Sequence, residues 1–141
     1  MHMSAKWEHF DHGADIGVRG IADTETGAFE QAALALTAVI ANPDLVRHTE
    51  TVEVHCEAPD HELLFAEWLN AIIFEMATRN MLFSRFEIKL LKESLTAKLY
   101  GEAVNIQRHS PAVEVKGATY TSLKVCKDDN DKWVAQCVVD V

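Results

Sequence analysis

Acidic groups at two distant places in the sequence could together bind a metal ion. Asp15 closes a polar segment near the start of the sequence, and Asp140 is its penultimate residue. Val141 follows and supplies the carboxylate of the terminus. Carboxylate oxygens are hard ligands, which suit Ca²⁺, Mg²⁺ or Mn²⁺ better than Zn²⁺. If the fold brings Asp15, Asp140 and Val141 together, we expect a divalent cation site made only of oxygen ligands.

The surroundings of each acidic residue leave an alternative open. His12 lies three residues before Asp15, so it could act as a base or a ligand with Asp15 as its partner. Spacing alone favours a simple turn around Gly13, in which Asp15 accepts backbone N–H bonds and His12 is solvated or capped. Asp140 could belong to a frayed terminus. The apolar sequence at 134–139 argues against fraying, because it is typical of an inner strand that would hold Asp140 in place.

Other polar residues are predicted to have structural roles. The acidic cluster of Asp128, Asp129 and Asp131 lacks the long loop ending in Glu that an EF-hand requires, so we expect a solvated hairpin turn. Residues 108–111 are predicted to form a loop, with a phosphate contact as the alternative. Lys116 precedes a predicted strand, and it is either an exposed cation or a charge that protects a strand edge.

The cysteines and the large aromatic residues are predicted to pack in the interior. No C-x-x-C pair is present, and each cysteine lies among apolar or β-branched residues, so we expect reduced, packed thiols and no zinc ligands. The three cysteines are Cys56, Cys126 and Cys137. Helical spacing predicts that Phe65, Trp68 and Phe74 belong to the core and do not form a surface that stacks on bases.

Size and composition predict one folded domain over residues 1–141. Of the 141 residues, 48% are hydrophobic and 25% are charged, as in globular proteins. Thirteen Lys and Arg against 22 Asp and Glu give a net charge of −9, which opposes strong direct binding of nucleic acids. No apolar run approaches the roughly 20 residues that span a bilayer, and the first residues lack a signal peptide. The sequence therefore predicts a cytoplasmic protein without membrane contact.

Hydrophobic periodicity predicts the elements that must position these groups. Extended segments at 7–10 and 16–21 flank the polar loop 11–15, and a helix runs from Asp23 or Thr24 to about Asn42. A half-buried strand at 50–57 precedes a second helix that begins near Asp60. The remaining strands are predicted at 86–91, 95–103, 119–127 and 132–139. This order indicates an α+β fold, with two helices packed on a mainly antiparallel β-sheet that ends in a C-terminal meander.

Four ordered blocks of sequence resemble the archease family. The first is Asp-His-Gly-Ala-Asp-Ile-Gly-Val-Arg at 11–19, similar to the family's D-H-T-A-D-[IV]-G-[IV]-R. The second is Leu-Leu-Phe-Ala-Glu-Trp-Leu-Asn at 63–70, and the third is Glu-Val-Lys-Gly-Ala-Thr-Tyr at 114–120. The fourth is the final predicted strand with its penultimate Asp. The common glycine-rich nucleotide motifs and the HExxH and GxSxG motifs are absent from the sequence.

The resemblance implies a small protein that activates a GTP-dependent RNA-splicing ligase in tRNA splicing and RNA repair. Such a protein has no reaction of its own, and it promotes guanylylation of the ligase and its multiple turnover. The family's metal-binding residues fall on Asp15, Asp140 and the terminal carboxylate of Val141. Calcium is the first expectation for the metal, with manganese and magnesium as alternatives. His12 and Lys116 are then expected to contact the partner or to support the metal ligands.

Two positions depart from the family pattern, and two other functions stay open. Gly13 stands where Thr is usual, which adds backbone freedom, and Thr121 stands where many relatives carry His. One alternative is a small metal-dependent phosphohydrolase, with His12 as the base beside a cation at Asp15 and Asp140. The other is a chaperone or modulator of RNA-modifying enzymes.

Overall fold

The computed structural model describes residues 5–141, which form eight strands, three α-helices and one short 3₁₀ helix. The α-helices are α1 (Glu25–Ile40), α2 (His61–Arg79) and α3 (Ile106–His109), and the 3₁₀ helix is Pro43–Leu45. The strands are β1 (Lys6–His12), β2 (Asp15–Ala22), β3 (Glu50–Glu57), β4 (Met81–Leu90), β5 (Ser94–Ala103), β6 (Gly117–Ala118), β7 (Lys124–Lys127) and β8 (Trp133–Asp140).

The strands form two sheets, and every pair within them is antiparallel. The first sheet has the order β1-β2-β8-β6, and β7 also pairs with β8. The second sheet has the order β3-β5-β4. Strand β8 is therefore paired on both of its sides, as expected for an inner strand. The predicted α+β fold with helices on antiparallel sheets is confirmed.

Local sequence signals explain where the two long helices begin and end. Thr24 caps α1, since its Oγ1 accepts a hydrogen bond from the N–H of Gly27 at 2.9 Å. Helix α1 ends at Ile40, three residues before Pro43, which cannot continue a helix. Asp60 caps α2 in the same way, and Asn80 ends α2 in the left-handed conformation. The helix starts predicted from Thr24 and Asp60 are thus confirmed.

A continuous apolar core lies between the helices and the two sheets. Both α1 and α2 pack on strands of both sheets. Trp68 of α2 is fully buried, and its Nε1 donates a hydrogen bond to the carbonyl oxygen of Phe29 at 3.1 Å, which ties α2 to α1. Gly20 lets α1 approach β2 closely, because a Cβ there would lie 2.0 Å from the carbonyl oxygen of Ala28. Within residues 5–141, no helix is both long and apolar enough to cross a bilayer.

Three details of the predicted architecture were wrong. Of the strand expected at 119–127, only Lys124–Lys127 forms a strand, β7. Strand β6 lies just before the predicted segment, and the turn between β6 and β7 includes Ser122, which has a φ of 55°. The C-terminal strands do not form one meander, because β4 and β5 belong to the sheet of β3 while β6, β7 and β8 belong to the other sheet. Phe74 is not in the core: 61% of it is exposed, on the solvent side of α2.

Candidate functional site: an acidic row at the end of the first sheet

Strand register brings together residues that are far apart in the sequence. His12 of β1 pairs with Asp15 of β2, and Gly117 of β6 pairs with Asp140 of β8. The β2–β8 ladder ends with the pair of Ile16 and Val139, so Asp15 and Asp140 each lie one position beyond it. His12, Asp15, Asp140 and Gly117 thus lie side by side across four neighbouring strands. We call these four positions the terminal row.

The terminal row faces away from the core. Directly opposed residues of an antiparallel ladder project to the same face, and successive residues alternate. Val139 is fully buried, whereas Asp140 is exposed and Asp15 is half-buried. The side chains of Asp15 and Asp140 therefore emerge on the outer face, next to each other. The backbone N–H of Val141 lies 3.4 Å from Oδ1 of Asp15, which places the end of the described chain beside this carboxylate.

A tight turn positions His12 and Asp15. Residues 11–15 were predicted as a loop, but β1 continues to His12 and β2 begins at Asp15, which leaves only Gly13 and Ala14 between the strands. Gly13 has a φ of 61°, and positive φ at the first central residue alone is the pattern of a type II′ hairpin turn. The turn fixes the register, so the predicted turn is present but is shorter than expected.

An asparagine that the sequence did not single out holds the other side of the terminal row. Asn70 of α2 accepts a hydrogen bond from the N–H of Ala118 at 2.9 Å, and its amide donates to the carbonyl oxygen of Ala118 at 3.5 Å. The N–H of Lys116 donates to the carbonyl oxygen of Asp140 at 2.8 Å. Lys116 is exposed, and among residues 5–141 its side chain forms no ion pair. In the sequence, Asn70 was notable only as the last residue of the second block that resembles the archease family.

The donor chemistry of this region fits a hard divalent cation. Asp15 and Asp140 offer carboxylate oxygens on one face, and the backbone of Val141 lies beside Asp15. Among residues 5–141, no group of three or more His, Cys, Asp or Glu side chains is arranged to hold a metal ion. The set predicted from the sequence has only two such side chains, and its third donor is a main-chain carboxylate. Asp15, Asp140 and Val141 therefore stay a predicted ligand set.

The other acidic cluster is a hairpin turn, as predicted. Oδ1 of Asp128 accepts hydrogen bonds from the N–H groups of Asn130 at 2.8 Å and Lys132 at 3.0 Å. Asp131 takes a positive φ of 63° and lies 3.3 Å from Nζ of Lys127. These contacts give Asp128 and Asp131 structural roles in the turn between β7 and β8.

A buried polar cluster that was not predicted from the sequence lies around helix α3. Residues 108–111 were predicted as a loop, but Arg108 and His109 lie in α3, and His109 is buried. The guanidinium of Arg108 binds both carboxylate oxygens of Glu102, at 2.6 and 2.8 Å. Nδ1 of His109 accepts the N–H of Asn105 at 2.9 Å, so Nε2 carries the proton and donates to Glu102. Hydrogen bonds from Arg108 outweigh burial and hold the pKa of Glu102 well below its ordinary value. The predicted alternative of a phosphate contact at Arg108 is opposed by this pairing.

The cysteines behave as packed residues, as predicted. Cys56 and Cys137 are buried, and Cys126 is half-buried. Burial raises the pKa of Cys137 to about 12, and burial together with the charge of Glu67 raises the pKa of Cys56 to about 11. Thiols with such pKa values are protonated at neutral pH and are poor nucleophiles.

Comparison with known proteins decides the family. The sequence profile of the archease protein family matches residues 7–141. The chain belongs to the archease family. It is 39% identical to the protein archease of Pyrococcus abyssi over 96% of this chain and 99% of that protein. The protein archease of Ictalurus punctatus is 28% identical over 99% of this chain and 87% of that protein. The archease profile thus covers the whole terminal row.

Solved archease structures have the same fold. Protein 1598 of Methanobacterium thermoautotrophicum, solved in solution, superimposes with a TM-score of 0.83 at 29% identity, over 96% of this chain and 98% of that one. An archease and possible chaperone from Thermotoga maritima gives a TM-score of 0.57 at 20% identity, over 100% of this chain and 99% of that one. The resemblance stated from the sequence blocks is confirmed.

Proposed function

We propose that this archease activates a GTP-dependent RNA ligase of tRNA splicing and RNA repair, and that it does so through a divalent cation held at the terminal row. Membership of the archease family supports the class of partner. Asp15, Asp140 and the carboxyl group of Val141 hold the cation, with Ca²⁺ as the first candidate and Mn²⁺ or Mg²⁺ as the alternatives. His12 and Lys116 flank this site and contact the partner.

The openness of the terminal row is the observation that carries the proposal. Its acidic side chains emerge on an exposed sheet end, and the main clefts of residues 5–141 are lined by other residues. An enzyme that hydrolyses a small phosphate ester needs a concave pocket around its substrate. A protein that inserts acidic groups into a partner's active site needs these groups on an exposed edge and not in a pocket. The geometry therefore favours the activator over the phosphohydrolase, although His12 does lie opposite Asp15.

The chain's own residues supply position and charge. Asp140 is held in place because its carbonyl oxygen accepts a hydrogen bond from the N–H of Lys116 and because it pairs with Gly117 of β6. A divalent cation, when bound, neutralises charge that develops on transferring phosphates. The net charge of −9 favours approach to a ligase whose RNA-binding surface is basic.

Ligase turnover tests the proposal directly. The purified chain is mixed with its matching ligase, GTP and a broken RNA, and guanylylation and turnovers per ligase are counted. Asp140→Ala should fold normally and lose most of the acceleration, because Asp140 is exposed and contributes little to the core. Asp129→Ala is the matched control, since it removes an exposed carboxylate from the β7–β8 turn. Equal activation by both variants would refute the mechanism.

Calorimetric titration tests the metal separately. Ca²⁺ and Mn²⁺ are titrated into the wild type, Asp15→Ala and Asp129→Ala. Binding should be lost only in Asp15→Ala, because Asp15 is the proposed ligand. If Asp15→Ala bound the cations with wild-type affinity, Asp15 would be excluded as a ligand. The ligase assay would then be the remaining test of the activator function.

A change at position 141 tests the third ligand. Residues added after Val141 convert its carboxylate into a neutral peptide carbonyl and place chain where the cation and the partner meet. Cation binding and activation should both fall, whereas residues added before Met1 should leave them unchanged. Undiminished activity of the C-terminally extended protein, at matched thermal stability, would exclude Val141 as a ligand.

A further inference from the structure

A groove separates strand β3 from helix α2, and none of the four residues of the terminal row lines it. Five consecutive residues of β3, 53–57, line one wall, so the edge of the strand itself faces the groove. The residues of the other wall share one face of α2. They are Glu67, Asn70, Ala71, Phe74 and Glu75. The groove has a volume of about 480 Å³ and is open to solvent. We call it the β3–α2 groove.

Strand β3 presents unpaired backbone groups to this groove. It is the edge strand of its sheet, paired only with β5. The N–H of Ala58 donates to the carbonyl oxygen of Glu93 at 3.1 Å, just beyond the ladder. Bonding alternates along an antiparallel edge, so the N–H and C=O groups of Glu53, His55 and Glu57 point away from β5. This edge is a template for another strand.

Negative charge surrounds the edge. Glu53, Glu57, Glu67 and Glu75 all line the groove. Within residues 5–141, Glu53 and Glu67 form no ion pair, whereas Glu75 is paired with Arg79 at the end of α2. The carboxylate of Glu57 bonds to the ring of its neighbour His55. Two of the four carboxylates are thus left for a partner's cations.

An exposed aromatic side chain lies on the helical wall. Phe74 is 61% exposed, although α2 buries its opposite face. Burial of such a ring on association contributes to binding, and aromatic residues are enriched where interfaces are tightest. The ring also offers a face for a Lys or Arg side chain.

We propose that the β3–α2 groove binds an extended segment of a partner protein, rich in Lys and Arg that alternate with apolar residues. The segment adds to the β3 edge as a fourth strand of the β3-β5-β4 sheet, its cations meet Glu53 and Glu67, and an apolar side chain covers Phe74. Strand addition to an exposed edge is a recurring mode of peptide recognition. A second copy of this chain fits poorly, because it would bring like charges together across the same edge. The proposal does not depend on the cation site.

Titration of the full chain with a defined peptide tests the proposal. The probe is a short peptide in which Lys alternates with Val around one central Phe. Amide signals of Glu53, His55 and Glu57 should shift on binding, and their hydrogen exchange should slow, because their N–H groups become bonded. Phe74→Ala and the double variant Glu53→Gln/Glu67→Gln should each bind about tenfold more weakly.

Matched controls separate strand addition from simple charge attraction. The double variant Glu62→Gln/Glu114→Gln removes two exposed carboxylates outside the groove and should bind the peptide as the wild type does. A peptide with Pro in place of each Val keeps its charge but cannot pair as a strand, so its binding should be lost. Equal binding of the Pro peptide, equal weakening by the control variant, or no binding at millimolar peptide would each overturn the proposal. Self-association of the chain through β3 would overturn it as well.

Discussion

At the scale of single residues, the geometry of the terminal row depends on one glycine. Gly13 closes the two-residue turn that sets His12 opposite Asp15, and its φ of 61° lies in the left-handed region. Nothing lies within 4 Å of a Cβ built at this position. Steric clash therefore does not prevent a side chain at position 13, but the positive φ of Gly13 disfavours one. The resemblance drew attention to this position, where Thr is usual, and the structure gives the reason that Gly suits the turn.

We expect Gly13→Ala to destabilise the fold by about 1 kcal/mol, because L-residues resist positive φ. Gly117→Ala is the control: its φ is not in the left-handed region, and its Cβ would lie 3.6 Å from Oδ1 of Asn70, an ordinary contact. Thermal unfolding should show a loss of about 3 °C for Gly13→Ala and little change for Gly117→Ala. Equal melting temperatures would show that the turn tolerates a side chain.

Residue types alone pointed to Asp15 and Asp140 as candidate ligands, which stays a prediction, but they did not reveal the polar contacts of Asn70 and Glu102. Asp15 and Asp140 stand out because unpaired carboxylates have few structural uses in an apolar strand context. Asn70 and Glu102 do not stand out, because each acts through hydrogen bonds whose partners are chosen by the tertiary fold. Residue types show which side chains can form hydrogen bonds, but the tertiary fold determines which of them come into contact.

At the scale of elements, the first turns of the two long helices are joined by an ion pair. Nδ1 of His61 lies 2.6 Å from Glu25, and its Nε2 lies 2.8 Å from the carbonyl oxygen of Leu91. Burial alone would lower the pKa of His61, but the bonds to Glu25 and Leu91 raise it above 6.5. A raised pKa in the folded state stabilises the fold fully below the unfolded value, and the gain is lost as pH rises through the folded value.

The free energy of unfolding should therefore fall as pH rises from about 6.5, the ordinary pKa of His, through the raised pKa of folded His61, apart from other titrations. Glu25→Gln should reduce this slope, since it removes the charge that favours protonated His61. Urea unfolding of both proteins across this range measures the difference. A wild-type slope retained in Glu25→Gln would show that His61 does not control it.

Strand β6 has only two residues, and it depends on a side chain for its place. Asn70 makes both hydrogen bonds to Ala118 that a neighbouring strand would otherwise make. Asn70→Ala should cost about 1 kcal/mol and should speed hydrogen exchange at Ala118. Asn130→Ala, in the exposed β7–β8 turn, is the control. Unchanged exchange at Ala118 would show that β8 alone holds β6.

Elements with strong periodicity were predicted well, and short ones were not. The strand at 50–57 was predicted with its exact bounds, because its alternation is regular and one face is buried. The strand at 119–127 was wrong, since its composition suits a strand while the ladder with β8 is interrupted between Ala118 and Lys124. Division of the strands between two sheets was not predicted, because sheet membership depends on contacts between distant segments.

At the scale of the whole molecule, charge governs which partners approach. The net charge of −9 opposes the release of counterions that drives binding to RNA. We expect the isolated chain to bind single-stranded RNA more weakly than about 1 μM, measured by fluorescence anisotropy at low and at physiological salt. Submicromolar, salt-sensitive binding would contradict this expectation and would require a local basic surface.

The inner position of β8 has a consequence for how the protein is made. Strand β2 pairs with a strand near the other end of the sequence, Ile16 with Val139, so the first sheet closes only after β8 has left the ribosome. The β3-β5-β4 sheet and α2 are nearer in sequence and can assemble earlier. Before β8 is available, β1 and β2 can pair only with each other, as a two-stranded hairpin. Asp15 and Asp140 thus become neighbours only when β8 joins the sheet at the end of folding. A chain that lacks β8 cannot present both carboxylates to a partner.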